Sequence, residues 1–163
     1  MHKILILGCG SVGGELISMI NNSLNASIYC FARTKRKEYD NVKFIDTYKD
    51  LLYPDMVIET LPGKTNIEVQ FAYSILKKYI NNSVNAATCN KMLMYKNGKE
   101  LCDMAKKRGS KLMLSSIIST GIMLDETNFQ EYSDEELYKF RSKDGKATAK
   151  YIKQDIERIM GKI

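Results

Sequence analysis

The chain has 163 residues, of which 44% are hydrophobic and 27% are charged, and its formal net charge is +6 at pH 7. These values are typical of a folded domain and exclude a disordered chain, and the length fits one domain with at most a short appendage. No apolar run reaches the length of a membrane span, so we predict no membrane partner. The positive charge comes mainly from dispersed lysines without a recognition motif, so we predict no nucleic-acid partner.

The cysteine content favours a cytoplasmic protein with reduced thiols. No CxxC pair occurs among the four cysteines, which are Cys9, Cys30, Cys89 and Cys102. A single histidine, His2, is too few for a usual zinc site, so we predict no metal site. The first apolar segment ends directly in glycines, which is typical of a first strand and not of a secretion signal. We expect Cys9 to be exposed because it lies in this glycine-rich turn.

Short apolar segments alternate with helical patterns along most of the chain. The strands are predicted at residues 3–7, 28–32, 42–45, 56–60, 84–88 and 111–118. Helices are predicted at residues 12–21, 66–78 and 99–108, with a short turn or helix at 48–52, a turn at Asn97-Gly98 and a C-cap at Gly109. This alternation predicts a doubly wound α/β Rossmann fold with a parallel sheet.

The sequence changes character after about residue 124. Ser133 and Glu136 form a capping-box pattern that predicts a short helix over residues 133–140. A last helix is predicted at residues 147–160, because its apolar residues recur at helical spacing.

We therefore divide the chain into three parts. Residues 1–124 form the Rossmann domain, residues 125–146 form a short insert, and residues 147–163 form a C-terminal helix that packs back on the Rossmann domain.

A G-x-G-x-x-G pattern at Gly8, Gly10 and Gly13 joins the first predicted strand to the first predicted helix. In such a turn the first glycine permits the tight bend, the second lets the backbone approach a pyrophosphate, and the third lets helix and strand pack closely. The backbone amides that follow, with Ser11 and Val12 among them, would bind the pyrophosphate at the helix N-terminus. We predict a dinucleotide ligand, and the alternative is a structural turn without one.

The residues after the second predicted strand bear on the choice of cofactor. NAD sites usually place an acidic residue here to accept hydrogen bonds from the ribose hydroxyls. This chain has Arg33, Thr34 and Lys35 instead, and its next carboxylate is Glu38. A guanidinium can pair with a 2′-phosphate through two hydrogen bonds. We therefore predict NADP(H), with NAD(H) less favoured, and the alternative is a solvated basic loop.

Three further segments follow the later strands. They read V-I-E-T-L-P-G at residues 57–63, T-C-N-K at 88–91 and S-T-G-I at 119–122. In order and spacing the chain resembles the nucleotide-binding domain of homoserine dehydrogenases, whose corresponding patterns are V-x-E-x-x-G, T-A-N-K and G-G-I-P. The departures are Cys89 for alanine, Thr120 for the first glycine and Met123 for proline.

The resemblance implies specific site residues. It implies that Thr60, Leu61, Asn90 and Lys91 contact the cofactor, and that Lys91 lies beside the nicotinamide and the substrate. There the lysine takes part in substrate polarisation or proton transfer. The alternative for Lys91 is a surface lysine without a catalytic role.

The chain also resembles the far end of this family. Residues 145–156 are similar to the G-x-x-T-A-x-x-V-x-x-D-I pattern of the family's final helix, but the substrate domain that precedes it in the family has no counterpart here. One interpretation is an NADP-dependent oxidoreductase acting on homoserine, aspartate semialdehyde or a related small amino-acid-like substrate. The alternative is a non-catalytic NADP(H)-binding module. An aspartate dehydrogenase ranks lower, because that family uses a substrate-domain histidine. The oligomeric state is left open, with a homo-oligomer among the options.

Overall fold

Six parallel strands form one sheet in the computed structural model, which describes residues 1–23, 25–34, 38–51, 53–119, 133, 135 and 144–162. The strands are β1 (His2–Leu7), β2 (Ala26–Phe31), β3 (Val42–Ile45), β4 (Met56–Glu59), β5 (Asn85–Thr88) and β6 (Leu112–Met113). Their spatial order is β3-β2-β1-β4-β5-β6, which is the strand order of the Rossmann fold. The predicted doubly wound α/β fold is confirmed.

Helices cover both faces of this sheet. Those described are α1 (Ser11–Ile20), α2 (Asn66–Asn81), α3 (Lys91–Arg108), α4 (Ser115–Ile118) and α5 (Gly145–Met160), with a 3-10 turn at Tyr48–Asp50. One apolar cluster lies between the sheet and the pair α2 and α3, and a second lies between the sheet and the pair α1 and α5. Successive residues of β1 and β4 are buried on alternate faces, as a central parallel strand requires.

The C-terminal helix α5 packs on the Rossmann core, as predicted. Its buried residues Ala149, Ile152 and Ile156 belong to the same apolar cluster as α1. A polar contact beside these residues also holds the helix, because the buried Asp155 carboxylate accepts hydrogen bonds from Ser115 N at 3.3 Å and from Ser115 Oγ at 2.6 Å.

The predicted turn at Asn97-Gly98 is wrong, because α3 begins at Lys91 and runs through both residues. The side chain of Asn90 caps the helix, with its Oδ1 accepting a hydrogen bond from Leu93 N at 3.1 Å. A glycine inside a helix costs about 1 kcal/mol relative to alanine. The cap and the buried residues on either side of Gly98 outweigh that cost.

The predicted sixth strand is also wrong in length. It ends at Met113, and the chain then turns into the short helix α4, where residues 115–118 had been expected to continue the strand. The hydrogen bonds from Ser115 to Asp155 hold the chain in this turn. The local apolar pattern contains no information about Asp155, which lies 40 residues after Ser115 in the sequence.

Several predictions lie outside the described residues. They are the turn at residues 120–122, the helix at 133–140 and most of the insert at 125–146. The division into three parts therefore stays a prediction. None of the described helices combines the length and the apolar character that a membrane span requires.

The four cysteines are free thiols. Cys9 is only 7% exposed, so the expectation that it is exposed is wrong. Its side chain turns inward from the glycine-rich turn and joins the apolar cluster under α1. Burial, with a smaller contribution from the neighbouring Cys9, raises the pKa of Cys30 to about 12. Cys30 is therefore a neutral core residue at physiological pH.

Candidate functional site

The turn between β1 and α1 requires a glycine at its first position. Gly8 has a φ of +101°, a conformation that other residues rarely adopt. A Cβ atom at Gly8 would lie 2.9 Å from Thr60 O. Its amide donates to Phe31 O at 2.9 Å, which places the turn beside the end of β2.

The second and third glycines have different surroundings. A Cβ atom at Gly13 would overlap Gly8 O and lie 2.7 Å from Thr60 Oγ1, whereas a Cβ atom at Gly10 would have no neighbour within 4 Å among the residues that the structure describes. Gly10 is the exposed N-cap of α1, and no side chain caps the helix there. The amide groups of the first helical turn, which begins with Ser11 and Val12, have no acceptors within their own helix.

Thr60 holds this turn against the end of β4. Its amide donates to Leu7 O at 2.9 Å, and its hydroxyl lies 3.0 Å from Leu7 O and 3.2 Å from Gly8 O. The structure thus shows Thr60 holding the glycine turn in place, and its contact with a cofactor stays a prediction.

The end of β2 brings basic and polar side chains to the same edge. Arg33 and Thr34 are exposed and lie one residue beyond β2, whose last residue pairs with Leu7 at the end of β1. The hydroxyl of Tyr39 donates to Gly14 O at 3.2 Å and so connects the chain after β2 to α1. Lys35 lies outside the described residues.

A buried carboxyl group lies where β4 and β5 end. Glu59 has no exposed surface. Its Oε1 accepts a hydrogen bond from Leu61 N at 2.7 Å, and its Oε2 lies 2.5 Å from Thr88 Oγ1. Thr88 Oγ1 in turn accepts from Asn90 N at 3.0 Å. This network ties the end of β4 to the end of β5 and the start of α3.

The environment of Glu59 favours its neutral form. Burial raises the pKa of Glu59 to about 7, although hydrogen bonding by Thr88, Leu61 and the Asn90 amide lowers it in part. The Asn90 Nδ2 atom is itself buried and forms no hydrogen bond of ordinary geometry with the residues described. Gly63 leaves room for this amide, because a Cβ atom there would lie 2.8 Å from Asn90 Nδ2.

Lys91 lies at the carboxyl end of β5, as its motif implies. It is half-buried and is the first residue of α3. Burial and the neighbouring Glu59 raise the pKa of Cys89 to about 12, while Lys91 lowers it in part. Glu59 and Lys91 are therefore both within electrostatic reach of Cys89.

Parallel strands end at one edge of the sheet, so the predicted site residues within the described ranges gather there. Leu61 is half-buried in this group, and Asn90 is only 6% exposed because its side chain caps α3. The sequence motif at residues 57–63 includes Glu59 but does not identify it as a site residue. The signal that could have found it is a carboxylate that ends a strand of otherwise apolar residues.

No family model and no curated protein matches the sequence. Among solved structures, the homoserine dehydrogenase of S. aureus at pH 6.5 matches over 98% of this chain and 49% of its own, with 19% identity and a TM-score of 0.54. A hyperthermophilic archaeal homoserine dehydrogenase in complex with NADPH matches over 70% of this chain and 43% of its own, with 14% identity and a TM-score of 0.52.

A biliverdin reductase from Synechocystis, in complex with biliverdin and NADP⁺, also matches over 71% of this chain and 38% of its own, with 14% identity and a TM-score of 0.56. The chain thus spans less than half the length of each of these three structures. The S. aureus match covers so much of this chain that it must reach into α5. The chain is therefore similar in fold to part of homoserine dehydrogenase, as its sequence predicts, and the comparison establishes the fold alone.

Replacing Glu59 by Gln should remove a pH-dependent part of the stability. The folded chain keeps the Glu59 proton between pH 4.5 and about pH 7, where the unfolded chain loses it. The stability that this proton provides is therefore present below that window and is lost as the pH rises through it. Relative to E59Q, the wild-type free energy of unfolding should fall by roughly 3 kcal/mol across the window.

Urea unfolding of both proteins across this pH range measures the difference. Glu100→Gln is the matched control, because Glu100 is exposed and its pKa is lowered by Tyr73 and Lys77. Parallel stability curves for the wild type and E59Q would contradict the assigned burial effect.

Proposed function

We propose that the chain binds NADP(H) at the carboxyl edge of its sheet. The observation that carries the proposal is the contrast within the glycine turn. Packing accounts for Gly8 and Gly13, whose Cβ positions are blocked by protein atoms, whereas the described residues leave open space at Gly10. A glycine there is accounted for by a ligand that approaches the backbone, and the N-terminus of α1 favours an anionic group such as a pyrophosphate.

The choice of NADP(H) over NAD(H) rests on the end of β2. Arg33 and Thr34 are exposed beside the glycine turn, where a 2′-phosphate would meet a guanidinium and a hydroxyl. Lys35 would add a third donor. The NADPH and NADP⁺ in two structures of the same fold support a nicotinamide dinucleotide.

Gly10→Ala tests the site without disturbing the fold. The added methyl group meets no described protein atom within 4 Å, so the fold should be kept. The melting temperature without ligand should fall by at most a few degrees, because alanine caps a helix less well than glycine. NADPH affinity should weaken by about tenfold or more, because the methyl group occupies the space that the pyrophosphate needs. Thermal shift and calorimetry with NADPH measure both quantities.

Gly14→Ala is the control for this experiment, because a Cβ atom at Gly14 meets its nearest neighbours at an ordinary 3.8 Å. It should bind NADPH as the wild type does. Unchanged NADPH binding by G10A would overturn the proposed site.

Arg33→Glu tests the cofactor preference. The substitution places a carboxylate where the 2′-phosphate would lie, so NADPH affinity should fall by at least about tenfold while NADH affinity stays the same or rises. Lys111→Glu reverses a charge at the opposite edge, directly before β6, and should leave both affinities unchanged. An equal loss for both variants would indicate a general effect of net charge.

The catalytic part of the proposal is a hydride transfer between NADP(H) and a small amino-acid-like substrate, with aspartate semialdehyde and homoserine as the first candidates. Lys91 would bind or polarise the substrate from the start of α3. The support is its position at the carboxyl end of β5 together with the fold shared with homoserine dehydrogenases. A non-catalytic NADP(H)-binding module remains the second candidate, because the chain spans less than half of those enzymes.

A turnover assay separates the two candidates. If the chain is catalytic, NADPH absorbance should decrease when aspartate semialdehyde is added, and Lys91→Ala should lower the rate by about 100-fold. Exposed Lys99 lies further along α3, and Lys99→Ala should not change the rate. Tight NADPH binding without turnover would contradict the catalytic proposal and favour the binding module.

A further inference from the structure

The buried acid at the end of β4 suggests a preference for one redox state of the cofactor. We propose that the Glu59 carboxylate, held by Leu61 and Thr88, favours the oxidised over the reduced nicotinamide at this site. The inference rests on the proposed NADP(H) site and adds a specificity-determining residue to it.

The topology puts this carboxyl group at the point where ligands bind such sheets. β1 and β4 are adjacent although β2 and β3 intervene in the sequence, and crevices for ligands open where the strand order reverses in this way. Glu59 is the last residue of β4 and pairs with Leu7, the residue before the glycine turn. Its carboxylate is hydrogen-bonded to Leu61 N, just after β4, and to Thr88 Oγ1, at the last residue of β5. Lys91 lies three residues beyond Thr88.

The carboxylate has no neutralising partner within the described part of the chain. Both of its hydrogen bonds come from neutral groups. The titratable groups on the neighbouring elements are Cys89, directly after β5, and Lys91, at the start of α3. Glu68, in the first turn of α2, is engaged with the backbone amides of Lys64 and Thr65.

Glu59 changes charge near neutral pH, whereas Cys89 stays neutral there. Burial raises the pKa of Glu59 to about 7 and that of Cys89 to about 12. The negative charge on Glu59 therefore switches on as the pH rises through 7.

The two forms of the cofactor differ mainly in the charge of one ring. The oxidised nicotinamide ring carries a positive charge, and the reduced ring is neutral. A carboxylate in a low-dielectric environment attracts the first and not the second. By linkage, binding of the oxidised cofactor should also favour ionised Glu59.

The hydrogen-bond pattern identifies a variant that mimics one protonation state. Protonated Glu59 accepts from Leu61 N with one oxygen and donates to Thr88 Oγ1 with the other. Gln at position 59 accepts and donates at the same two atoms but carries no charge at any pH. Glu59→Gln therefore imitates the acidic form of the site across the whole range.

The experiment measures the Kd values of NADP⁺ and NADPH by calorimetry between about pH 6 and pH 8.5. In the wild type, the ratio of the NADP⁺ Kd to the NADPH Kd should fall by about fivefold as the pH rises. In E59Q the ratio should stay constant at the acidic wild-type value. The 2′-phosphate also titrates near pH 6, but both cofactors carry it, so its effect cancels in the ratio.

Two further variants complete the test. Glu100→Gln, at an exposed acid, should reproduce the wild-type pH dependence. Thr88→Val removes the hydroxyl that stabilises the ionised carboxylate, so the midpoint of the wild-type change should move up by about one pH unit. This variant provides the test if E59Q does not fold.

The outcomes distinguish a failure of this inference from a failure of the proposed NADP(H) binding. A ratio that does not change with pH in the wild type, or that changes equally in E59Q, would overturn the role of Glu59 while leaving NADP(H) binding intact. Failure of both cofactors to bind at any pH would instead overturn the proposed function. A merely structural role for Glu59 would weaken both cofactors alike and leave the ratio unchanged.

Discussion

The close approach of the glycine turn to the end of β4 is the constraint on which the site depends. Thr60 O and Oγ1 lie where side chains at Gly8 and Gly13 would be, and the Thr60 hydroxyl is shared between Leu7 O and Gly8 O. This contact fixes the direction in which α1 leaves the sheet. The amides of its first turn, which have no acceptors within their own helix, therefore lie at the edge where β1 and β4 end, where an anion gains most from the helix dipole.

Burial of Glu59 opposes the tendency of a core to exclude charge. An ionised carboxylate without a cation is unfavourable inside a protein unless hydrogen bonds stabilise it. Here Leu61 N and Thr88 Oγ1 stabilise it only in part, which leaves the group near its point of ionisation at neutral pH. The same two contacts join the segment after β4 to the end of β5, and Thr88 is bonded in turn to the start of α3. The charge of Glu59 and the geometry of the crevice are therefore coupled.

The sequence was sufficient for features that depend on local pattern, and it failed where distant contacts decide. The six strands and the glycine turn follow from apolar periodicity and glycine spacing. The turn predicted at Asn97-Gly98 is wrong because packing against other elements offsets the cost of a glycine inside α3, and the end of β6 depends on Asp155. The sequence does not predict Glu59 as a site residue, because only the fold brings its carboxylate to Thr88.

Helix α5 belongs to the core that supports the turn. β1 and β4 are buried on both faces, and α1 packs on one of these faces. Ala149, Ile152 and Ile156 of α5 supply further apolar surface there. At its N-terminus, a Cβ atom at Gly145 would lie 2.9 Å from Ser11 O, so α5 can approach the first turn of α1 only because residue 145 is a glycine. The C-terminal segment therefore helps to set the position of the amides that are proposed to bind the cofactor.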